Sequence, residues 1–167
     1  VLRPDLTRYA SWNHWDRNLR ICSADTFKTI QTASTYSDDV IVSCSTSSDG
    51  SLLVAGGVSS LVHVWEIVRD KRSDIRFKAS LAGHIDEVTC VQYASFLPFY
   101  ARLTRDVKHL PEFSFMVSGG GRSDRRVIIW DLNMLTCIRS LEPLPGPAVA
   151  LTVSSQTVRH LLLLQRI

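Results

Sequence analysis

Short apolar runs separated by polar turn residues repeat along the whole chain. Residues 19–22 alternate apolar and polar side chains, as a half-exposed strand does. Residues 39–44 are rich in β-branched side chains, which favour strands. The pattern predicts strands over 8–12, 19–22, 28–31, 39–44, 52–57, 61–66, 75–81, 88–93, 115–119, 127–131, 136–141 and 148–153, with 159–165 as a hairpin partner of the last.

Turn-forming residues occupy the gaps between these runs. Residues 13–18 are rich in Asn and Asp, which tolerate tight backbone geometry. Residues 47–50 end in Gly50, where a turn is expected to need a positive φ. Strands joined in this way predict an all-β fold.

The residues from Gly83-His84 to Trp130-Asp131 follow the order of parts in a WD repeat, the four-stranded blade of a β-propeller. That resemblance implies a structural tetrad with one member in each part of the blade. His84 falls in the entry loop, Ser118 on the second strand, Asp124 in the turn before the third strand, and Trp130 on that strand. Buried indole, imidazole and hydroxyl donors need partners, and a carboxylate is a suitable final acceptor.

Three further positions match the repeat as markers: Asp16, Trp65 and Asp131. Asp16 stands six residues before Cys22, so this blade keeps the Asp of the repeat but not its Trp. Trp65 has Ser59 at the position where the Asp would lie. We therefore expect packing, more than the tetrad network, to hold the blade that contains Trp65.

The length of 167 residues sets the number of blades. At roughly 40–45 residues a blade, a closed seven-bladed propeller needs about 300 residues. We expect a fragment with about three to four four-stranded blades, incomplete at both ends. The predicted boundaries within this single partial propeller, 1–167, are 1–31 for the end of one blade, 38–81 for a blade, 83–141 for a blade with an insertion at 94–114, and 148–167 for the start of a further blade.

Charge and cysteine content narrow the class of partner. A net charge of +3 without a basic stripe interleaved with aromatic residues gives no indication of nucleic-acid binding. The four cysteines fall within apolar, strand-like segments and form no C-x-x-C pair, so we expect buried free thiols. With no signal-peptide pattern and no apolar run near ~18 residues, the expected compartment is the cytoplasm, without direct membrane insertion.

Two charged segments depart from the regular pattern. Residues 69–74 form a mixed charge run that is expected to be a solvated loop. The insertion at 94–114 is aromatic and basic, with Pro98 and Pro111 near its ends. A functional loop on one rim, an inserted segment without a role and an error of the gene model all remain open for it.

Catalytic and metal-binding alternatives find little support in the sequence. Ser118, His84 and Asp124 are the residue types of a hydrolase triad, but they fall within or beside apolar strands. The pair His84 and Glu87 has no third metal ligand nearby. Residues 119–121 precede a strand rather than the helix that a phosphate-binding loop requires. We expect no catalytic residue, no metal and no cofactor.

A narrower resemblance is carried by residues 11–14, 19–23, 64–66, 81–90 and 128–133. They are similar to the propeller of BEACH-domain proteins, above all to the autophagy-linked FYVE protein branch (WD repeat and FYVE domain-containing), with the lysosomal trafficking regulator next. The chain departs from that family at Asn13, at the insertion and at 145–147. It contains no FYVE zinc-finger cysteines, so phosphoinositide binding does not carry over.

The family resemblance implies a large cytosolic scaffold in vesicle trafficking or selective autophagy. The expected partners are other proteins or neighbouring domains of the parent chain, with peripheral association with endosomal, lysosomal or autophagic membranes through that parent. The alternative is a generic WD-repeat structural or adaptor module in an unrelated multiprotein complex. A third reading is a truncated chain that does not fold alone, because open sheet edges invite aggregation.

Overall fold

The computed structural model describes residues 8–12, 16–33, 38–47, 49–68, 75–96, 113–141, 143–153 and 161–165. These residues form strands and turns, with no helix among them. The strands are β1 (Arg8–Ser11), β2 (Leu19–Ser23), β3 (Thr29–Ala33), β4 (Ile41–Thr46), β5 (Leu52–Gly57), β6 (Leu61–Ile67), β7 (Ile75–Ala82), β8 (Val88–Phe96), β9 (Phe113–Gly120), β10 (Val127–Asp131), β11 (Thr136–Ser140), β12 (Ala148–Val153) and β13 (Leu161–Gln165).

The strands form four antiparallel sheets, and within each sheet every strand pairs with its neighbours in sequence. The first sheet has the order β1-β2-β3, and the second has β4-β5-β6-β7. The third contains β8 to β11 in sequence order, and the fourth contains β12 and β13. Sequential antiparallel strands of this kind are the blades of a propeller, so the predicted all-β partial propeller is confirmed.

The sheets repeat one another in register as well as in order. The inner strands β4, β8 and β12 each carry a bulge near their first residue, after Ile41, Val88 and Ala148. A bulge adds one residue to a strand and increases its local twist. Its recurrence makes these three residues structurally equivalent, and the positions that follow can be compared between sheets.

The hydrophobic core lies between the faces of successive sheets. One cluster joins the second and third sheets through residues such as Val64, Met116 and Trp130. A second joins the first and second sheets around Leu53 and Trp65, and a third joins the third and fourth sheets around residues such as Val117, Val127 and Ala148. Face-to-face packing of consecutive sheets buries side chains on both faces of the middle blades, above all on strands such as β5, β6 and β10.

Hydroxyl groups also link the inner strands of the second and third sheets. The backbone N–H of Val91 donates to Ser43 Oγ at 3.1 Å, and that of Tyr93 donates to Ser45 Oγ at 3.0 Å. Both donors lie on β8, the first strand of its sheet. The serines of β4 therefore satisfy backbone groups of β8 that have no sheet partner, because β8 lies at the edge of its sheet.

The structure corrects the predicted insertion and one cysteine. Strands β8 and β9 pair as far as Phe96 opposite Phe113, so 94–96 and 113–114 belong to the sheet and not to an insertion. Residues 97–112 and the charged run 69–74 lie outside the described residues. Three cysteines are buried as expected, but Cys137 is exposed because every residue of the outermost strand β11 faces solvent.

Two smaller predictions agree with the described residues. Gly50 has a φ of 71°, as its turn position requires. Strand β13 pairs antiparallel with β12, from Leu161 opposite Val153 to Gln165 opposite Ala148. The segment 159–165 was predicted as this hairpin partner, and its strand portion, 161–165, is confirmed.

Candidate functional site

The four residues predicted as a tetrad lie together in the third sheet. The indole N–H of Trp130 donates to Ser118 Oγ at 2.8 Å. Ser118 Oγ lies 2.7 Å from His84 Nε2, and His84 Nδ1 contacts Asp124 Oδ2. All four residues are buried. We call His84, Ser118, Asp124 and Trp130 the His84 network.

The partners of each atom assign the direction of every hydrogen bond. The carboxylate of Asp124 can only accept, so the proton of the neutral imidazole lies on Nδ1. Nε2 is then an acceptor, and it receives the hydroxyl hydrogen of Ser118. A lone pair of Ser118 Oγ remains to accept from Trp130, so each donor has a partner along the line Trp130, Ser118, His84, Asp124.

Gly83 and Arg126 position the His84 network. A Cβ at Gly83 would come within 2.7 Å of the indole of Trp130, so only glycine fits without a shift. The residue before His84 therefore allows the loop to pass directly over the indole. Arg126 completes the site, because its Nε donates to Asp124 Oδ1 at 2.7 Å and its Nη2 donates to the carbonyl of Gly83 at 2.9 Å.

Burial decides the protonation of His84. Loss of solvent lowers the pKa of His84 below its ordinary value, although the hydrogen bond and the charge of Asp124 act in the opposite direction. Arg126 contributes a smaller lowering. The neutral imidazole that the hydrogen-bond directions require is thus also the form that burial favours.

The second sheet keeps the Trp of the repeat but loses its acceptor. Trp65 pairs with Leu53 across the strands, as Trp130 pairs with Met116. Two residues further along, the second sheet has Ala55 where the third sheet has Ser118. The indole nitrogen of Trp65 is buried and has no hydrogen-bond partner.

A different buried network occupies the second sheet. His63 Nε2 lies 3.0 Å from Asp39 Oδ2, and His63 Nδ1 lies 2.7 Å from Ser80 Oγ. The N–H of Ser59 donates to Asp39 Oδ1 at 2.9 Å, and its hydroxyl donates to Oδ2. We call Asp39, Ser59, His63 and Ser80 the His63 network. The tetrad of the repeat is incomplete in this sheet, since the indole of Trp65 lacks its acceptor, but a second polar network that the sequence did not predict is present.

The His63 network uses the same groups as the His84 network but takes them from other elements. Its imidazole is on the third strand of the sheet and its carboxylate precedes the first strand. A Cβ at Gly57 would clash with the Asp39 carboxylate, as a Cβ at Gly120 would clash with that of Asp124. Ile41 pairs with Gly57 as Val88 pairs with Gly120, so the two carboxylates occupy equivalent places. A histidine within the apolar run 61–67 was the signal in the sequence.

The predicted markers Asp16 and Asp131 lie outside both networks, Asp16 in the turn before β2 and Asp131 at the end of β10. Asp131 Oδ1 accepts the backbone N–H groups of Asn133 at 2.8 Å and Met134 at 3.0 Å, which shapes the turn after β10. Asp16 accepts from the side chain of Asn18 at 3.1 Å and forms an ion pair with Arg20. Trp65, the third marker, packs edge-on against Phe77 with ring centroids 6.2 Å apart.

The geometry of the His84 network leaves little room for chemistry. Ser118 is fully buried, whereas a nucleophile must face a cleft. Both ring nitrogens of His84 already have partners, so neither has a lone pair directed at a metal ion. Among the described residues, no group of three or more His, Cys, Asp or Glu side chains could hold a metal.

Exposed side chains lie on the rim beside the two networks. Residues 58–60 connect β5 to β6, residues 83–87 connect β7 to β8, and residues 121–126 connect β9 to β10. We call these three segments the turn rim. Val58 is 52% exposed and Ile85 is 73% exposed, and Arg122 and Arg125 also face solvent. The turn rim therefore presents apolar and cationic groups on a supported backbone.

Asp86 ties two parts of the turn rim together. Its Oδ2 accepts the N–H of Ser123 at 2.8 Å, and its Oδ1 accepts the N–H of Glu87 at 2.9 Å. These backbone hydrogen bonds, first that of Ser123, hold the pKa of Asp86 below its usual value. The loop before β8 and the turn before β10 are joined by Asp86, by the His84 network, by Arg126 at the carbonyl of Gly83, and by the N–H of Gly121, which donates to the carbonyl of Glu87 at 2.9 Å.

Comparison with known proteins agrees with this architecture. The family model described as WD domain, G-beta repeat matches residues 27–66 and 75–131. The chain therefore belongs to the WD40 repeat family. No helix within the described residues is long and apolar enough to cross a membrane.

Relatives place the chain near one group of large proteins. It is 28% identical over 155 residues to Protein SPIRRIG of Arabidopsis thaliana, which covers 90% of this chain and 4% of that protein. It is 26% identical over 162 residues to BEACH domain-containing protein A2 of the same plant, covering 94% of this chain and 4% of that protein. WD repeat- and FYVE domain-containing protein 4 of Mus musculus is 28% identical over 144 residues, 84% of this chain and 4% of that protein.

These relatives confirm the resemblance to BEACH-domain and WD repeat- and FYVE domain-containing proteins. The chain spans about 4% of the length of each of them. Two solved structures, "Structure of U3-55K" and "Crystal structure of RRP9 WD40 repeats", match with TM-scores of 0.63 and 0.64 at 18% and 19% identity. Each match covers 90% of this chain and 40% of the other, and it shows the fold alone.

Proposed function

We propose that this chain is a non-catalytic protein-interaction scaffold, part of a large BEACH and WD-repeat protein that acts in vesicle trafficking or selective autophagy. One observation carries the proposal: the polar groups of the His84 network are buried and paired with one another, whereas other side chains of the turn rim, such as Ile85 and Arg122, are exposed. The reactive residue types thus support the fold. What remains available to a partner is the surface.

The composition of the turn rim supports binding of a protein. Ile85 and Val58 are exposed apolar side chains, and Arg122 and Arg125 are exposed cations. Arginine is enriched at protein interfaces, and burial of exposed apolar side chains by a partner is favourable. The hydrogen bonds from Ser123 and Glu87 to Asp86 fix the backbone next to Ile85 and Arg122, which reduces the entropy lost on binding.

The trafficking or autophagy part of the proposal rests on the relatives. The similarity to BEACH domain-containing protein A2 and to WD repeat- and FYVE domain-containing protein 4 runs along most of the chain. Under this proposal the partners are other proteins or domains of the parent chain. The parent is then cytoplasmic and lies against endosomal, lysosomal or autophagic membranes without inserting this module.

The test is to tag the protein at its own locus and follow it in cells. We expect it to co-localise and co-fractionate with endosomal, lysosomal or autophagosomal markers, and we expect loss of the gene to change autophagic flux or cargo delivery. Immunoprecipitation under denaturing conditions followed by peptide mapping should recover BEACH-domain peptides from the same polypeptide. A tagged protein that carries no BEACH domain and stays apart from these membranes would instead be an adaptor of an unrelated complex.

A further inference from the structure

The His84 network holds a titratable side chain at a junction between two elements. His84 lies in the loop between β7 and β8, and its partners Ser118, Asp124 and Trp130 lie on β9, β10 and the turn between them. The imidazole is therefore one of the links that hold residues 83–87 of the turn rim against residues 121–126. Any change in its hydrogen bonds acts directly on that link.

The hydrogen bonds around His84 are fully satisfied by the neutral ring, so a second ring proton would displace one of them. In the neutral ring, Nδ1–H faces Asp124 and Nε2 accepts the hydroxyl hydrogen of Ser118. A proton on Nε2 would point at Ser118 Oγ, which can accept from it as well as from Trp130 only if its own hydroxyl hydrogen turns away. The hydroxyl hydrogen of Ser118 would then lose its acceptor in a fully buried position. Leaving a buried donor without a partner is costly.

The charges that face His84 do not offset this cost. Asp124 is its only carboxylate contact among the described residues, and Arg126 already forms an ion pair with Asp124 at 2.7 Å. Arg126 also reaches the carbonyl of Gly83, beside His84. Ser118 and Trp130 contribute neutral groups from β9 and β10, while Asp86 and Glu87 on the loop itself bind Ser123 and Gly121 through other atoms.

The His63 network differs at the matching position. Its serine, Ser80, is only half-buried on the outer strand β7, and the indole of Trp65 donates to no partner. The hydroxyl of Ser80 can therefore turn toward solvent, whereas that of Ser118 cannot. The second sheet therefore serves as an internal control for the pH response of the third sheet.

We propose that the His84 network is an acid-sensitive link, in which uptake of a proton by His84 leaves the Ser118 hydroxyl without its acceptor and weakens one of the contacts that hold residues 83–87 against residues 121–126. Because the folded protein lowers the pKa of His84 through burial, the network contributes its full stability above the ordinary histidine value of about 6.5. That contribution is lost as the pH falls from there toward the folded value. Acidification would loosen the part of the turn rim that carries Ile85.

Hydrogen exchange of the whole chain at pH 7.5 and pH 5.5, corrected for the intrinsic rate, tests this directly. We expect peptides covering 83–87 and 121–126 to lose protection at the lower pH by roughly tenfold, the factor that one unpaired buried donor produces. Peptides covering 57–61 in the second sheet should change little. Equal changes in both sheets, or no change in either, would overturn the proposal.

His84→Asn provides the variant arm of the test. Asparagine does not titrate and can donate to Asp124 from the position of Nδ1, although its amide is too short to reach Ser118. Its protection of residues 83–87 should therefore be the same at pH 7.5 and pH 5.5. An unchanged pH response in this variant would also overturn the proposal. If the variant does not fold, ring nitrogen chemical shifts of His84 in the wild-type chain decide the matter. A protonated His84 with residues 83–87 still protected would contradict the link.

Discussion

Trp65 and Ala55 stand in the second sheet as Trp130 and Ser118 stand in the third, but the alanine has no hydroxyl to accept the indole N–H. The nitrogen of Trp65 is consequently buried without a partner. Trp130, at the equivalent position, donates to Ser118 at 2.8 Å. Two blades of one chain thus contain the same aromatic residue with and without its hydrogen bond, which makes the contribution of that bond measurable.

Ala55→Ser should stabilise the protein. The new hydroxyl would lie where it can accept the indole N–H of Trp65, and a satisfied buried hydrogen bond contributes about 0.5–1.5 kcal/mol to the free energy of unfolding. Denaturant unfolding of the variant and the wild type gives this difference. In a Trp65→Phe background the same substitution should lose its benefit, and a gain that persisted there would have another cause.

Tryptophan-to-phenylalanine substitutions should separate the two blades. Both replacements shrink a buried ring in a packed cluster, which is costly at either site. Trp130→Phe also removes the donor to Ser118, whereas Trp65→Phe removes a donor that is already unpaired. We expect the loss of unfolding free energy to be larger for Trp130→Phe by about 1 kcal/mol or more. Equal losses would mean that the Trp130 bond contributes nothing.

Asp39 should matter more than its neighbour Asp38. Asp39→Asn replaces one accepting oxygen with an N–H group that faces the donors of Ser59 and His63, so we expect a loss of about 1–3 kcal/mol in unfolding free energy. Asp38→Asn is the matched control, because Asp38 is exposed and asparagine tolerates its φ of 50°. The control should stay within about 0.5 kcal/mol of the wild type. A similar effect at both positions would remove the argument for the His63 network.

The fold could be predicted from the sequence because apolar runs, turns and repeat spacing all indicate the same strands. The strands near His84 and Trp130 follow the WD-repeat pattern with few exceptions, and the register of the bulges repeats accordingly. The limits of the insertion could not be predicted, because no turn signal within residues 94–96 marks where β8 ends. Residues 94–96 continue the pairing of β8 with β9 past the usual length of a blade strand. Strand length there is decided by tertiary pairing.

The His63 network could not be predicted by comparison with the repeat, because its groups come from different elements. Asp39 and His63 are 24 residues apart and meet only when the sheet forms. The repeat pattern places an Asp six residues before the Trp, but that position holds Ser59, so the pattern does not identify Asp39 as the carboxylate of this sheet. The exposure of Cys137 was missed for a related reason, since an apolar residue on an outermost strand has no sheet beyond it to bury it.

The cysteines should differ sharply in reactivity. Burial raises the pKa of the Cys44 and Cys90 thiols, so the reactive thiolate is scarce at both positions near neutral pH. Cys137 is exposed. With iodoacetamide at pH 8, mass spectrometry of the native chain should find Cys137 alkylated first and Cys44 and Cys90 protected until denaturant is added. Cys137→Ser should abolish the fast reaction, and rapid labelling of Cys44 would contradict its place in the core.

The claim that this module acts through its surface is tested most directly by proximity labelling from the tagged parent protein in cells. The variant is Ile85→Asp with Arg125→Asp on the turn rim, both exposed positions, and Asp tolerates the positive φ of Arg125. Its control, Ile138→Asp with Arg139→Asp, changes the same residue types on the exposed outer strand β11. With both variants folded, the account predicts that trafficking or autophagy proteins disappear from the labelled set only for the rim variant. Identical labelling by the rim variant and the wild type would contradict it.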